Sequence, residues 1–200
     1  MIKKSISEVS KMKMTEINST LVESPAFKYL KEKEIVSSER GALELSSFFT
    51  LLLKIAWINR DLTKAELRYL VRESKDWSSL SEEVVKELID VHSDLVRRNA
   101  KFASFIPFHV AHLGNVLDEQ KKHELFEILV IISRGDLEVA KVEENYLDKV
   151  GKCLKLDGRF LTETIMNGKF LADVRKEKKA IVAQPDDDQP YEVPEIHFKW

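Results

Sequence analysis

Between residues 40 and 56 the apolar side chains Leu43, Leu45, Phe48, Phe49, Leu51, Leu52, Leu53, Ile55 and Ala56 fall on most sides of a helix. A helix with so little polar surface needs neighbours on several sides, so this one is expected to be central and largely buried. Upstream, residues 1–39 carry scattered Ile, Val and Met among Lys, Glu and Ser, which predicts an N-terminal arm with short, weakly amphipathic helices. Ser24-Pro25 is an N-cap followed by proline at the first helical position, and it opens a short helix over Ala26–Lys33. Downstream, Thr63-x-x-Glu66 has the spacing of a capping box, with Leu67, Leu70 and Val71 facing inward. Ser81-Glu82-Glu83 caps a helix running through Val84, Val85, Leu88, Ile89 and Val91 toward Leu95. Pro107 starts another, and Asp118 starts the apolar helix ending near Arg134. Two more are expected over about Lys141–Leu154 and Gly158–Asn167. From residue 174 the pattern stops. Gln184-Pro185-Asp186-Asp187-Asp188-Gln189-Pro190 cannot build a helix with a buried face, so 174–200 is expected as a flexible tail, with Ile196, Phe198 and Trp200 as a docking segment.

Composition narrows the class. Six Gly and five Pro in 200 residues, with 44% hydrophobic residues, favour an all-α fold of one compact domain. The balance of 32 basic against 34 acidic residues lacks the basic excess of a nucleic-acid binder, so no nucleic acid is expected. Cys153 is alone, which excludes an intrachain disulfide and fits a reducing compartment, the cytoplasm by default. Lys3, Lys4, Glu8, Lys11, Lys13 and Glu16 interrupt any signal-peptide core. The longest apolar windows, Phe48–Ile58 and Leu125–Ser133, fall short of the roughly 20 residues of a membrane span.

A shift of 77 residues aligns the chain with itself. Residues 51–70 lie without gaps on residues 128–147, and Leu52/Leu129, Ile55/Ile132, Lys64/Lys141, Glu66/Glu143, Tyr69/Tyr146 and Leu70/Leu147 are identical. Small residues coincide at Ala56/Ser133, and acids or amides at Asn59/Asp136 and Asp61/Glu138. Each half reads as helix, short loop, helix and a further helix, and two such units facing each other form one domain over 40–173.

The shared pattern is a small residue, Asn or Asp three on, an aliphatic six on and Glu ten on. Its copies are Ala56, Asn59, Leu62 and Glu66, then Ser133, Asp136, Val139 and Glu143. This doubled motif resembles the tellurite-resistance TerB family, over about 130 residues. The chain departs from that family at Asn59, which replaces an Asp, and at Arg60 and Leu137, which replace glycines. The resemblance implies an all-helical domain, an association with tellurite resistance and bacterial stress responses, and a link to divalent cations. A related module precedes the J-domain in some membrane-anchored co-chaperones, but the His-Pro-Asp of a J-domain is absent from this sequence.

Asn59, Asp61 and Glu66, and in the second copy Asp136, Glu138 and Glu143, place three oxygen-bearing side chains in each helix–loop–helix. Hard cations such as calcium or magnesium take oxygen ligands of this kind, although the spacing is not that of an EF-hand. A structural reading stands beside it. Glu66 closes a capping box with Thr63, and Asn59 and Asp136 suit Asx-turns. In the second copy Ala140 stands in place of Thr63, so Glu143 keeps only half a box and its loop is the stronger cation candidate. His109-x-x-His112 shares one helix face and could supply two metal ligands, with His123 or Asp118 beyond, or be ordinary surface or half-buried histidines. Cys153 lies among Val150, Leu154 and Leu156 as a small buried hydrophobe. Trp57 and Trp77 are expected to pack, and Arg97-Arg98 to be solvated.

No catalytic residues are expected. The function these features suggest is non-enzymatic and of the stress-response or tellurite-resistance type, acting through a protein partner and tuned by a divalent cation. The alternatives are a helical interaction scaffold or co-chaperone-like adaptor without a metal role, and a metal-dependent hydrolase built on His109 and His112, which predicts bound zinc.

Overall fold

The computed structural model describes residues 4–58, 62–133, 141–168 and 189–196. Among these the chain is all-α: α1 (Ile6–Val9), α2 (Met14–Leu21), α3 (Pro25–Glu32), α4 (Glu39–Ala56), α5 (Lys64–Ser78), α6 (Glu82–Arg98), α7 (Ile106–Val116), α8 (Glu119–Ser133), α9 (Lys141–Cys153) and α10 (Gly158–Met166), with a 3-10 turn at Phe102–Ser104. Helix starts follow the capping residues. Ser24, Ser38, Thr63, Ser81 and Asp157 each accept a backbone N–H of the first turn through the side chain, and Asp118 accepts from the Lys121 N–H at 2.8 Å. Each bond satisfies a donor that the helix cannot.

Two helices form the centre. α4 packs against α3, α5, α6, α7 and α8, which accounts for its lack of a polar face. α7 packs against α1, α2, α4 and α9, and its residues Ile106 to Gly114 are all buried. The second repeat follows the first: α8 and α9 stand to each other as α4 and α5 do, and α4 packs on α8. Leu52, Leu129, Leu70 and Leu147 are fully buried, as are Ile55 and Ile132 nearly so. The repeat therefore survives in the sequence chiefly where the two units build the shared core.

Residues of the expected N-terminal arm complete that core. Val9, Ile17, Leu21 and Leu30 are wholly inaccessible, and α1 and α2 lie along α7 while α3 lies on α4 and α6. Short helices gain stability by burying one face in this way, since in isolation they are marginal. At two places helices touch through glycine. A Cβ on Gly114 would stand 2.4 Å from the Cys153 carbonyl oxygen, so α7 crosses the end of α9 backbone to backbone. A Cβ on Gly151 would stand 2.2 Å from Leu161 Cδ2, the close seat of α10 on α9. Within the expected tail, residues 189–196 are described and run along the body; 174–188 and 197–200 lie outside the described residues.

Candidate functional site

Of the six candidate cation ligands, the structure describes Glu66 and Glu143; Asn59, Asp61, Asp136 and Glu138 lie outside the described residues. Glu66 is in its capping box. Its Oε2 accepts from the Thr63 backbone N–H at 2.7 Å and from the Thr63 hydroxyl at 3.0 Å, while Thr63 Oγ1 accepts from the Glu66 N–H at 3.3 Å. Glu143, in the first turn of α9, is 2% exposed. The two equivalent glutamates thus differ: the first is half-exposed and spent on a cap, the second is taken into the protein. Among the described residues no group of three or more His, Cys, Asp or Glu is disposed to hold a metal. Replacing Thr63 with Ala is expected to lower stability by about 1 kcal/mol, read as a shift in the urea midpoint at constant m-value.

His109 and His112 are in the core, not on its surface. His109 and His112 both lie on α7, a helix apolar all round, so their shared face turns inward. His109 Nδ1 is 2.9 Å from Ser47 Oγ of α4, and His112 Nδ1 is 3.0 Å from Asn18 Oδ1 of α2. His92 of α6 is also fully buried, its Nδ1 2.8 Å from the Leu88 carbonyl and its ring against Phe49. Among the described residues, the Nε2 atoms of His109 and His112 are buried without a hydrogen-bond partner, while His92 also meets the Ser46 backbone. Desolvation holds these imidazoles neutral: His92 is pushed down to about 4, His112 to about 4, and His109 well below its ordinary value, with the neighbouring His92 and His112 adding to the last. Among the described residues His123 joins no ligand set; it stacks on Phe160 at 4.0 Å. Burial pushes the Cys153 thiol up to about 11, as befits an inert core residue.

A feature the sequence reading missed runs along α6. Asp90, Asp94 and Arg98 stand four residues apart and form one stripe. Asp94, buried, holds Arg98 at 2.8 Å. Arg98 in turn donates through Nη2 to the Val193 carbonyl at 3.3 Å and through Nη1 to the Pro194 carbonyl at 3.4 Å. The Tyr191 hydroxyl donates to Asp90. Beside this stripe, the Lys64 N–H donates to the Gln189 carbonyl at 2.9 Å and the Tyr191 N–H donates to the Leu62 carbonyl, so Thr63 and Pro190 form an antiparallel bridge. Arg98 is therefore engaged where a solvated face was expected. Arg97 is engaged too, lying over the Trp57 ring at 4.3 Å while Trp57 Nε1 donates to Ser93 Oγ at 2.9 Å. Trp77 packs as expected, stacked on Phe48 at 4.8 Å. The i, i+4 acid–acid–base spacing was the available signal for the stripe, but nothing local shows that Arg98 has backbone carbonyls to bind.

No described helix is long and apolar enough to cross a membrane. Among known families, the model described as Tellurite resistance protein TerB matches residues 46–163, more than half of the chain. The matched span runs from α4 into α10 and includes both copies of the repeat. Neither a curated protein nor a solved structure matches the chain.

Proposed function

Because the chain belongs to the TerB family, we propose that it is a non-enzymatic protein of the tellurite-resistance and stress-response type that works through protein–protein contacts, with a divalent cation held weakly at the second repeat loop. The observation that carries the cation clause is the run of acidic side chains in the second copy of the repeat, where Asp136 and Glu138 stand a few residues before Glu143 in the first turn of α9. Calcium and magnesium take carboxylate oxygens as ligands, and the second copy offers three of them within one short stretch. The first loop is the poorer candidate because Glu66 already satisfies the N-terminus of α5. Support for a non-enzymatic role comes from the state of the reactive side chains: Cys153 and the His109–His112 pair are sequestered in the core.

Titration of the full chain with calcium and magnesium, followed by amide NMR, tests the cation clause. Shifts at millimolar ion are expected at residues flanking 136–143, reduced by Glu143→Gln and unchanged by Glu66→Gln. No shift at 10-fold higher ion, with unchanged thermal stability, would remove the cation from the function. Elemental analysis of the purified protein addresses the hydrolase alternative, for which stoichiometric zinc is required; zinc-free protein is expected.

A further inference from the structure

The segment 189–196 sits on the body as a ligand sits in a groove. Of its eight residues only Val193 is buried; Tyr191 and Ile196 are half-buried, and Gln189, Pro190, Glu192, Pro194 and Glu195 are exposed. The seat is read mostly through the segment's backbone. Leu62 and Lys64 pair with Tyr191 and Gln189 as one strand pairs with another, and Arg98 takes two consecutive carbonyls. Side chains select at three points: Tyr191 on the half-buried Asp90, Val193 in the main core, and Ile196 against the small cluster of Ala26, Val91, Leu95 and Phe102. Main-chain pairing combined with pockets for alternate side chains is how extended peptides are recognised at an exposed edge.

The segment also borders open space. A cleft of about 460 Å³ opens beside it, lined among the described residues by Lys64, Gln189, Pro190, Tyr191 and Glu192. Twenty residues of sequence separate the segment from residue 168, the last described residue of the α10 region. With five of its eight side chains exposed, the segment is held mainly through its main chain and at Tyr191, Val193 and Ile196.

We propose that the face formed by Leu62–Lys64 and the Asp90–Asp94–Arg98 stripe of α6 is a docking groove for an extended segment of a partner protein. The segment it takes carries a tyrosine and an aliphatic residue two apart, flanked by proline, and the chain's own residues 189–196 fill the groove until the partner displaces them. The chemistry assigned to the partner is that of the segment now seated there: a backbone able to pair with Leu62–Lys64 and present two carbonyls to Arg98, and a hydroxyl to meet Asp90. This names the surface for the protein contacts proposed above and rests on that reading only for its biological use. The groove is tested by peptide binding, which succeeds or fails independently of any cation.

The test uses full-length chains and a fluorescein-labelled peptide of residues 187–197. In the tail variant Tyr191→Ala/Val193→Asp the groove is vacated, and the peptide is expected to bind saturably. To the wild-type chain it should bind at least tenfold more weakly, because the tethered segment competes at an effective concentration in the millimolar range. Adding Arg98→Ala or Asp90→Asn to the tail variant should weaken peptide binding, and a scrambled peptide should not bind. Equal binding to the wild type and the tail variant, or none to a tail variant of native helicity, overturns the proposal. Hydrogen exchange on the wild type gives a second measurement: the Lys64 and Tyr191 amides should be protected, and should lose protection in Arg98→Ala, whereas free exchange in the wild type overturns the seat itself. A concentration-dependent wild-type dimer that the tail variant abolishes would overturn the partner in favour of exchange between two copies.

Discussion

Acidification from pH 7 to pH 4 is expected to weaken the fold by several kcal/mol, with the loss concentrated between about pH 6.5 and pH 4. The cause is the set of buried imidazoles at the α4–α6–α7 junction. An unfolded histidine takes up a proton near pH 6.5, whereas His92 and His112 in the folded protein resist it down to about 4 and His109 lower still. Across that window the unfolded chain binds more protons, so stability falls as pH falls, and it is fully present above the unfolded value. At 1.36 kcal/mol per pH unit, His92 contributes on the order of 3 kcal/mol and His112, less completely buried, somewhat less.

The groups facing these rings offset the cost only in part, through the backbone hydrogen bonds that His92 makes to Leu88 and Ser46. They are Ser47, Asn18, the Leu88 carbonyl, the Ser46 backbone, the aromatic rings of Phe49 and Phe102, and Arg40, whose charge further disfavours protonation of His112. Asp90 works in the opposite sense, since burial raises its carboxyl and the folded state therefore binds that proton more readily. Denaturant midpoints measured from pH 7.5 to 4 check the expectation. A flat profile would mean that the imidazoles are solvated, and His92→Gln should make the slope shallower.

Replacing Gly114 with Ala is expected to cost about 3 kcal/mol, the upper end for an overpacked core, and to lower Tm by roughly 6–12 °C. The added methyl would meet the Cys153 carbonyl oxygen at 2.4 Å, a backbone atom with no rotamer to move aside. The obstruction lies at the end of α9, where the Leu154 N–H donates to the Val150 carbonyl, the Leu156 N–H to the Gly151 carbonyl, and Lys155 adopts a left-handed φ of 63°. α7 would have to lift from α9 and disturb the junction of the two repeats. Gly158→Ala is the matched control. Nothing lies within 4 Å of its Cβ position, and alanine is the better helix former, so stability there should hold or rise by about 0.5 kcal/mol. Thermal unfolding of the two variants side by side separates the close approach from a general intolerance of larger residues.

Much of the architecture is local and was legible in the residues. Ser24-Pro25, Thr63, Ser81 and Asp118 mark helix starts because the orphan N–H groups they satisfy belong to the next turn of the same chain. The 77-residue shift was visible because Leu52, Ile55 and Leu70 and their counterparts occupy equivalent core positions. The family match over 46–163 agrees with the resemblance carried by that doubled motif. Less was legible about the site. Glu66 and Glu143 are equivalent in spacing, yet their surroundings separate them, one at a half-exposed cap and the other buried.

By itself, then, the sequence determined which segments are helical, where most of them start, that two units share one plan, and that Cys153 is buried. Periodicity and capping depend on neighbours within a few turns, and those are written in order along the chain. Only the tertiary structure decided which face of α7 is hidden. A helix apolar on every side gives His109-x-x-His112 the same spacing whether it meets solvent or Ser47 and Asn18. It also decided that α7 and α9 meet through Gly114 and that residues 189–196 lie along the α6 stripe. Those outcomes depend on partners 39 to more than 100 residues away, and a long-range contact leaves no period in the sequence that could announce it.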